Sequence, residues 1–464
     1  MENSGGRVAV IGAGASGCMA AIAAAQEGCS VTLFEKNEKI AKKIYATGNG
    51  RCNLTNLFLD ESCYHTHDSK NEIRRVLSFL EKFSQEDLIR FFREAGVPVH
   101  DRGGYVYPRT DQAETVARAF EKRLRQEGAE VCTDCQVQQI EKTKDGFCIR
   151  YLLSEKEKGK AQGKAKSTAK NTEKNTAKQT GKNAAKKTGH SFCCDAVILC
   201  TGGLAGPSFG CSGDGYRIAE HFFHRVIKPL PALTRLETDD PLLRRAAGVR
   251  CHASVTLVSD RAKQGGDGCP EQNICEDGEL QITENSLSGI PVFQISGIAA
   301  EHLSQGRRVR VLVDFLPEFT RQEYEKEMED RLLQDRGQML GDFLLGLAHR
   351  KVIDMILARA GLQAEMKARR LSDQELRGIM ETLRALEVEV TATGGFEHAQ
   401  VTKGGVPLSE IDDTFASEKT AGLFLAGELL DVDGRCGGYN LQWAMTSGLL
   451  AGRSAARYLH FDKR

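Results

Sequence analysis

Tryptophan occurs once in the 464 residues, at Trp443, and aromatic residues make up only 6%. A chain so poor in flat rings offers little of the stacking platform that holds single-stranded nucleic acid. Charge of one sign is not in excess either. Lys and Arg total 63, as do Asp and Glu, so no whole-chain field draws in a polyanion. No run of about 18 apolar residues occurs, and no membrane-spanning helix is expected. The Met1–Arg7 stretch is polar and leads straight into an apolar run, unlike a signal peptide. The fifteen cysteines are therefore expected as reduced thiols of a cytoplasmic protein, not as a disulfide framework. What is present is 41% hydrophobic and 27% charged residues, the balance of a globular chain able to bury a core. The length suggests about three domains.

Arg7–Ile11 reads as a β-branched strand, Gly12–Gly17 breaks it, Cys18–Glu27 is an alanine-rich helix, and Ser30–Glu35 is a second strand. This is a βαβ unit within about thirty residues. Helical patterns follow at Glu72–Ala95 and Gln112–Gly128, then hairpin-like strands at Val131–Thr143 and Gly146–Ser154. From Glu155 to Gly189 the composition changes: eleven Lys against three Glu leave +8, with lysines at every fourth residue from Lys166 to Lys186. Nothing apolar there can drive packing, so a solvated insertion in a hairpin is expected. A tether for nucleic acid or an anionic surface is the alternative. Asp195–Thr201 is a buried-type strand running into Gly202-Gly203. Short strands fill Lys228–Phe315. Pro317–Val388 is mostly helical, with runs at Arg321–Gln334 and Gln338–Ala360 and a cap-like Ser372. Gly422–Gly427 is a buried strand, and Tyr439–Leu459 a long helix.

Gly12-Ala13-Gly14-Ala15-Ser16-Gly17 fits G-x-G-x-x-G in the right setting, after a strand and opening a helix. Gly12 permits the tight turn, Gly14 lets backbone approach a pyrophosphate at the helix N-terminus, and Gly17 lets helix and strand pack closely. Glu35, at the second strand's end, can accept hydrogen bonds from adenosine ribose hydroxyls and disfavours a 2′-phosphate. The fingerprint serves NAD and FAD alike. Three features favour FAD: the return to a glycine-rich strand–loop–helix at the far end of the chain, the strand into Thr201-Gly202-Gly203, and Gly427-Glu428 closing a late strand before Asp431–Asn440 and a helix. That helix would open at Gly437-Gly438 with Tyr439, Asn440, Leu441 and Gln442 in its first turn. Its N-terminus suits the flavin end that becomes negative on reduction.

The ordered set VAVIGAGASG, KKIYATGNGRCNLTN (Lys42–Asn56), ILCTGG with GDGY (Gly213–Tyr216), GELQITENSLSGIP (Gly278–Pro291), TATGGFEHAQVTKGGVPLSEID (Thr391–Asp412) and LFLAGELLDVDGRCGGYNLQWAMTSG (Leu423–Gly448) resembles the BaiN/YhiN-type FAD-dependent oxidoreductases, also labelled aminoacetone oxidase-like. Only the lysine-rich insertion departs from the pattern. The resemblance implies an α/β protein with a Rossmann-like FAD-binding domain built from both chain ends, residues 1–227 and 391–464. A β-barrel-like insert would occupy 228–316 and a helical insert 317–390.

Carried over by position, Gly12, Ala13, Gly14, Ser16 and Gly17 would hold the pyrophosphate and Glu35 the ribose. Lys43, Thr47, Gly48, Arg51, Cys52 and Asn53 would line the path towards the flavin. Val137 would place backbone near adenine, and Thr201, Gly202 and Gly203 would give a second backbone approach. Gly427, Glu428, Gly438, Asn440, Leu441 and Gln442 would contact the ribityl chain and ring. The activity implied is NAD(P)H-driven reduction of a C=C bond conjugated to a carbonyl, as in bile-acid-type Δ4 and Δ6 enones, on a small hydrophobic substrate. Alternatives are an oxygen-using amino-ketone oxidase and an FAD-containing RNA-binding or RNA-modifying protein. Nucleic acid is the less expected partner. Arg51, His398, Lys403 and Tyr439 are weak candidates for the proton-handling group. No metal site is expected: Cys132-x-x-Cys135 has no second pair at zinc spacing, and Cys193-Cys194 reads as packing.

Overall fold

A computed structural model describes residues 6–67, 70–155, 186–260, 273–333 and 336–462. The chain divides into two compact units, Met1–Pro229 with Gly404–Arg464, and Leu230–Lys403.

The first unit opens with β1 (Arg7–Ile11), α1 (Ala15–Gln26) and β2 (Ser30–Phe34). β1 pairs in parallel with β2 on one side, Val8 opposite Val31, and with Ala196–Leu199 on the other, Val8 opposite Ala196. Leu423–Leu425 and Glu130–Cys132 complete a five-stranded parallel sheet. Parallel sheets are covered on both faces, which is why the inner strands here, VAVI and AVIL, are short apolar runs with no polar alternation. The C-terminal strand lies at one edge of this sheet, so both ends of the chain build one Rossmann-type α/β fold, as expected.

α1 is nearly all small residues, and ten of its twelve are buried. Its partner is the long helix Tyr439–Arg457. A Cβ at Gly448 would fall 2.1 Å from the Ser16 carbonyl oxygen, and one at Gly452 2.3 Å from that of Ala20. The two glycines are four apart, as are their contacts, so the helices touch backbone to backbone along one turn. No helix among the described residues is long and apolar enough to cross a membrane.

In the second unit, seven strands form one antiparallel sheet. Arg250–Ser259 lies between Ile274–Ile282 and Val309–Asp314. Helices Arg321–Leu332, Arg350–Arg359 and Asp373–Arg384 share a core with this sheet. Capping boxes at Thr320 and Ser372 start the first and last of these helices, satisfying backbone N–H groups that would otherwise lack partners.

The structure departs from the sequence reading at several places. Glu72–Ala95 is two helices, Lys70–Lys82 and Gln85–Glu94, because Ser84 and Asp87 form a capping box that starts a new one. The stretch expected to hold only short strands contains a fifteen-residue helix, Ile290–Ser304, with proline in its first turn. Gln338–Ala360 is interrupted, with helices only at Leu340–Phe343 and Arg350–Arg359; Gly346 between them has φ +84°. Leu386–Val390, expected to end the helical insert, is a strand of the antiparallel sheet, and so is Ala392–Thr393. Residues 391–403 fall in the second unit. Cys132 and Cys135 are joined as a disulfide, against the expectation that all thiols are reduced.

The hairpin expected to carry the lysine-rich insertion is there. Gly146–Glu155 pairs with Lys186–Cys194, with Glu155 opposite Lys186. The segment's last residues, Lys186–Gly189, are thus strand; the expected solvated stretch at 156–185 lies outside the described residues.

Candidate functional site

The turn after β1 is built as its glycines demand. Gly12 has φ +96°, its N–H donates to Phe34 O at 2.8 Å, and a Cβ there would press to 2.6 Å from Cys200 O. A Cβ on Gly17 would lie 1.8 Å from Gly12 O. Gly14 is different: its backbone is extended (φ −75°, ψ −166°), and a Cβ would meet nothing within 4 Å. Open space therefore stands over the start of α1, whose first N–H groups have no partners within the helix.

The Glu35 carboxylate is buried beside this turn. Oε2 accepts from Ala13 N at 2.9 Å, and Oε1 accepts from Asn37 N at 2.8 Å and Asn37 Nδ2 at 2.6 Å. Its backbone is pinned on both sides: Glu35 N donates to Cys132 O and Cys135 N donates to Glu35 O, each at 2.8 Å. The Cys132–Cys135 pair thus brackets the acidic strand end. Val137 follows in Cys135–Thr143, side chain buried and paired with Tyr151.

Lys43 and Glu428, 385 residues apart, form a 2.8 Å ion pair. Burial would pull the Lys43 ammonium down, but the Glu428 carboxylate outweighs it and holds the lysine above its usual value. Gly427, at φ +79°, brings its backbone so close to Ser16 that a Cβ would stand 2.5 Å from Ser16 Oγ. Ser447 Oγ accepts from Gly427 N at 3.0 Å, and Trp443 Nε1 donates to Gly427 O at 3.2 Å. A Cβ on Gly202 (φ +69°) would lie 4.0 Å from Glu428 Oε2, and Gly203 is buried. The structure therefore gathers Gly12–Gly17, Thr201–Gly203, Gly427, Glu428 and Lys43 around one place.

The Lys42–Gly50 turns leave helical geometry at Thr47, Gly48 and Asn49. Cys52 follows with φ +62°, fully buried, and burial pushes its thiol up to about 12. Asn53 Oδ1, Thr55 Oγ1, Thr201 Oγ1 and Gln442 Oε1 are buried with no hydrogen-bond partner. Each such group left unpaired costs about 1–3 kcal/mol. Unpaired polar atoms at Asn53, Thr55 and Thr201, beside the open space at Gly14, fit a long polar ligand such as FAD.

Other residues expected at the cofactor have protein partners. Asn440 clamps its own loop: Oδ1 accepts from Gly434 N and Nδ2 donates to Gly434 O, both at 2.8 Å. Gln442 Nε2 donates to Phe83 O at 3.1 Å, and Leu441 packs on the core. At Gly438 (φ +97°) a Cβ would fall 2.6 Å from the Thr55 carbonyl. Backbone fills that place, so turn geometry, not room for a ring, requires the glycine.

Of the proton-handling candidates, Arg51 is exposed and lies 5.9 Å from the Tyr107 ring centre. The Tyr439 hydroxyl donates to Phe58 O at 2.9 Å. His398 and Lys403 belong to the second unit, where His398 is exposed and Lys403 is buried, 3.5 Å from Glu301. The sequence reading missed Asn37, Ser447, the anchoring role of Trp443, and Tyr105. Only Trp443 and Ser447 lie inside a motif, the last one, which could have signalled them.

Away from this place, Ser417 Oγ, His224 and Glu410 line up at 2.7 and 3.2 Å. They do not make a nucleophile, because Ser417 Oγ already accepts from Lys419 N and Thr420 N. Burial lowers the His224 pKa against the pull of Glu410. A histidine held neutral in the fold but free to charge when unfolded stabilises above its ordinary value of 6.5 and loses that contribution on acidification. The thermal midpoint should therefore fall as pH drops below 6.5, and less steeply in His224→Gln. Parallel melting curves across pH 5 to 8, within roughly the usual window of maximal stability, check this.

The family model described as "HI0933-like protein Rossmann domain" matches residues 6–162 and 148–454. The 3-dehydro-bile acid delta(4,6)-reductase of Clostridium scindens is 37% identical over 454 residues, covering 97% of this chain and 99% of the relative. The ribosomal RNA dihydrouridine synthase of Haemophilus influenzae is 27% identical, covering 97% and 98%. A 3-ketosteroid-delta4-(5alpha)-dehydrogenase from Rhodococcus jostii superposes with a TM-score of 0.43 at 14% identity, covering 97% and 96%. A family match across nearly the whole chain and a full-length relative at this identity place the chain in the HI0933-like family, the BaiN/YhiN-type group with a Rossmann-type FAD-binding domain.

Proposed function

We propose that the protein is an FAD-dependent reductase of C=C bonds conjugated to a carbonyl, with NAD(P)H as donor. The full-length match to a bile-acid delta(4,6)-reductase carries this reading. The other named relative supports the same chemistry. Dihydrouridine is uridine with its C5=C6 bond reduced, and that bond is conjugated to the C4 carbonyl. The two names thus differ in the molecule that presents the enone and agree on the bond.

Bound FAD would supply hydride transfer through its flavin ring. The chain's own part is positioning. The Gly12–Gly17 turn and the α1 N-terminus would hold the pyrophosphate, and Glu35, fixed by Ala13 and Asn37, would hold the ribose. Lys43, now paired with Glu428, would exchange it for a phosphate oxygen, and Glu428 would then accept from ribityl hydroxyls.

The test is anaerobic incubation of the FAD-loaded protein with NADH or NADPH and a panel of Δ4 and Δ4,6 3-ketosteroids, read by mass spectrometry. A gain of two hydrogens per reduced double bond is expected. Peroxide release from aminoacetone in air, with no enone reduced, would replace this reading by the oxidase. Conversion of uridine in ribosomal RNA, with steroids untouched, would keep the chemistry and change the substrate.

A further inference from the structure

Three phenols surround the turn that opens the Tyr439–Arg457 helix, and two of them are committed. Tyr64 donates to Tyr439 O at 3.0 Å, and Tyr439 donates to Phe58 O at 2.9 Å. The third is Tyr105, which sits opposite Asn56 in a small antiparallel sheet. A Cβ on Gly437 would lie 2.9 Å from Tyr105 Cε1, so the ring rests directly on that turn. Asn56 Nδ2 holds the same turn from beside it, donating to Gly437 O at 3.1 Å. Tyr105 is partly exposed, and its hydroxyl makes no hydrogen bond among the described residues. An O–H on a partly exposed ring, with no acceptor among the described residues and beside a motif expected to meet the flavin, is available to a ligand.

We propose that Tyr105 is the catalytic acid that protonates the α-carbon of the enone. The inference rests on the enone-reductase reading. Reduction adds a hydride to the β-carbon and a proton to the α-carbon; the C=C π bond is lost and two C–H bonds form. The two electrons come from the dihydronicotinamide donor by way of FAD. The proton comes from the Tyr105 O–H, and the phenolate left behind recovers one from water. Burial raises the Tyr105 pKa, keeping the phenol protonated before transfer, and the Arg435 charge favours the phenolate afterwards. Tyr439, the tyrosine singled out from sequence, is less suited because its proton is already given to Phe58 O.

The experiment compares wild type, Tyr105→Phe and Tyr107→Phe, all loaded with FAD. A positioned general acid contributes roughly 10²–10⁴-fold, so Tyr105→Phe should slow enone reduction by about 100-fold or more. FAD content, thermal midpoint, the rate of flavin reduction by NAD(P)H, and the enone Kd read from flavin absorbance should all stay within about twofold of wild type, the scatter expected when only proton transfer is lost. In D2O the wild type should label one face of the α-carbon, and residual turnover by the variant should label both. Tyr105→Phe at wild-type rate, or a comparable loss in Tyr107→Phe alone, would overturn the assignment. A wild type that reduces no conjugated C=C bond would sink the functional reading itself, and this role with it.

Discussion

Gly14→Val should yield a folded, colourless protein. The backbone at Gly14 is one that valine adopts without strain, and a Cβ there meets nothing within 4 Å, so the fold has no reason to object. The added methyls would occupy the space over the α1 N-terminus that the pyrophosphate needs. Loss of the close approach to the helix N–H groups should weaken FAD by on the order of 100-fold or more, about 3 kcal/mol. Gly17→Ala is the contrasting variant. Its Cβ would lie 1.8 Å from Gly12 O, so strand and helix must separate, and it should lower the thermal midpoint whether or not FAD is present. Apo-protein melting curves and FAD titration on both variants check the pair. A Gly14→Val protein that retains stoichiometric FAD would refute the pyrophosphate assignment.

These two glycines show what the sequence made legible. The fingerprint's meaning is local, carried by turn geometry and a helix start within six residues, so it could be read without the fold. The same holds for the strand runs VAVI and AVIL, whose unbroken apolarity is required by burial on both faces. The Ile290–Ser304 helix was not legible for a related reason. It is apolar nearly all round, and periodicity cannot separate a buried helix from short buried strands. The split at Ser84 was legible in principle, because Ser84 and Asp87 have capping-box spacing inside an otherwise continuous helical pattern. Among the motif residues expected to contact the ribityl chain and ring, the Asn440 side chain binds its own loop and the Gln442 amide reaches Phe83. A motif tells which residues gather; which way each side chain turns is decided by backbone acceptors far along the chain. Tyr105 illustrates the converse. It lies in none of the motifs quoted above, and the pairing of Asn56 with Tyr105 brings it to the Gly437 turn.

The Lys43–Glu428 pair joins the first fifty residues to the last forty, and the Gly427–Ser447 bond ties that junction to the C-terminal helix, which is seated on α1. That seating depends on Gly448. Its hydrogen occupies a place where a Cβ would be 2.1 Å from the Ser16 carbonyl oxygen, backbone that cannot rotate away as a side chain could. Gly448→Val must therefore push the helix off α1 by more than a small adjustment. Overpacking typically costs about 1–3 kcal/mol where side chains can adjust; with backbone on both sides, the loss should reach roughly 3 kcal/mol or more. The same displacement would carry Trp443 and Ser447 away from Gly427, so FAD affinity should fall together with stability. This coupling distinguishes Gly448→Val from Gly14→Val, in which affinity falls alone. Excess FAD should restore part of the Gly448→Val thermal midpoint, because a ligand that binds only the folded state stabilises it by mass action. Denaturant unfolding with and without FAD checks both parts. A Gly448→Val protein as stable as wild type would show that the two helices do not meet at Ser16.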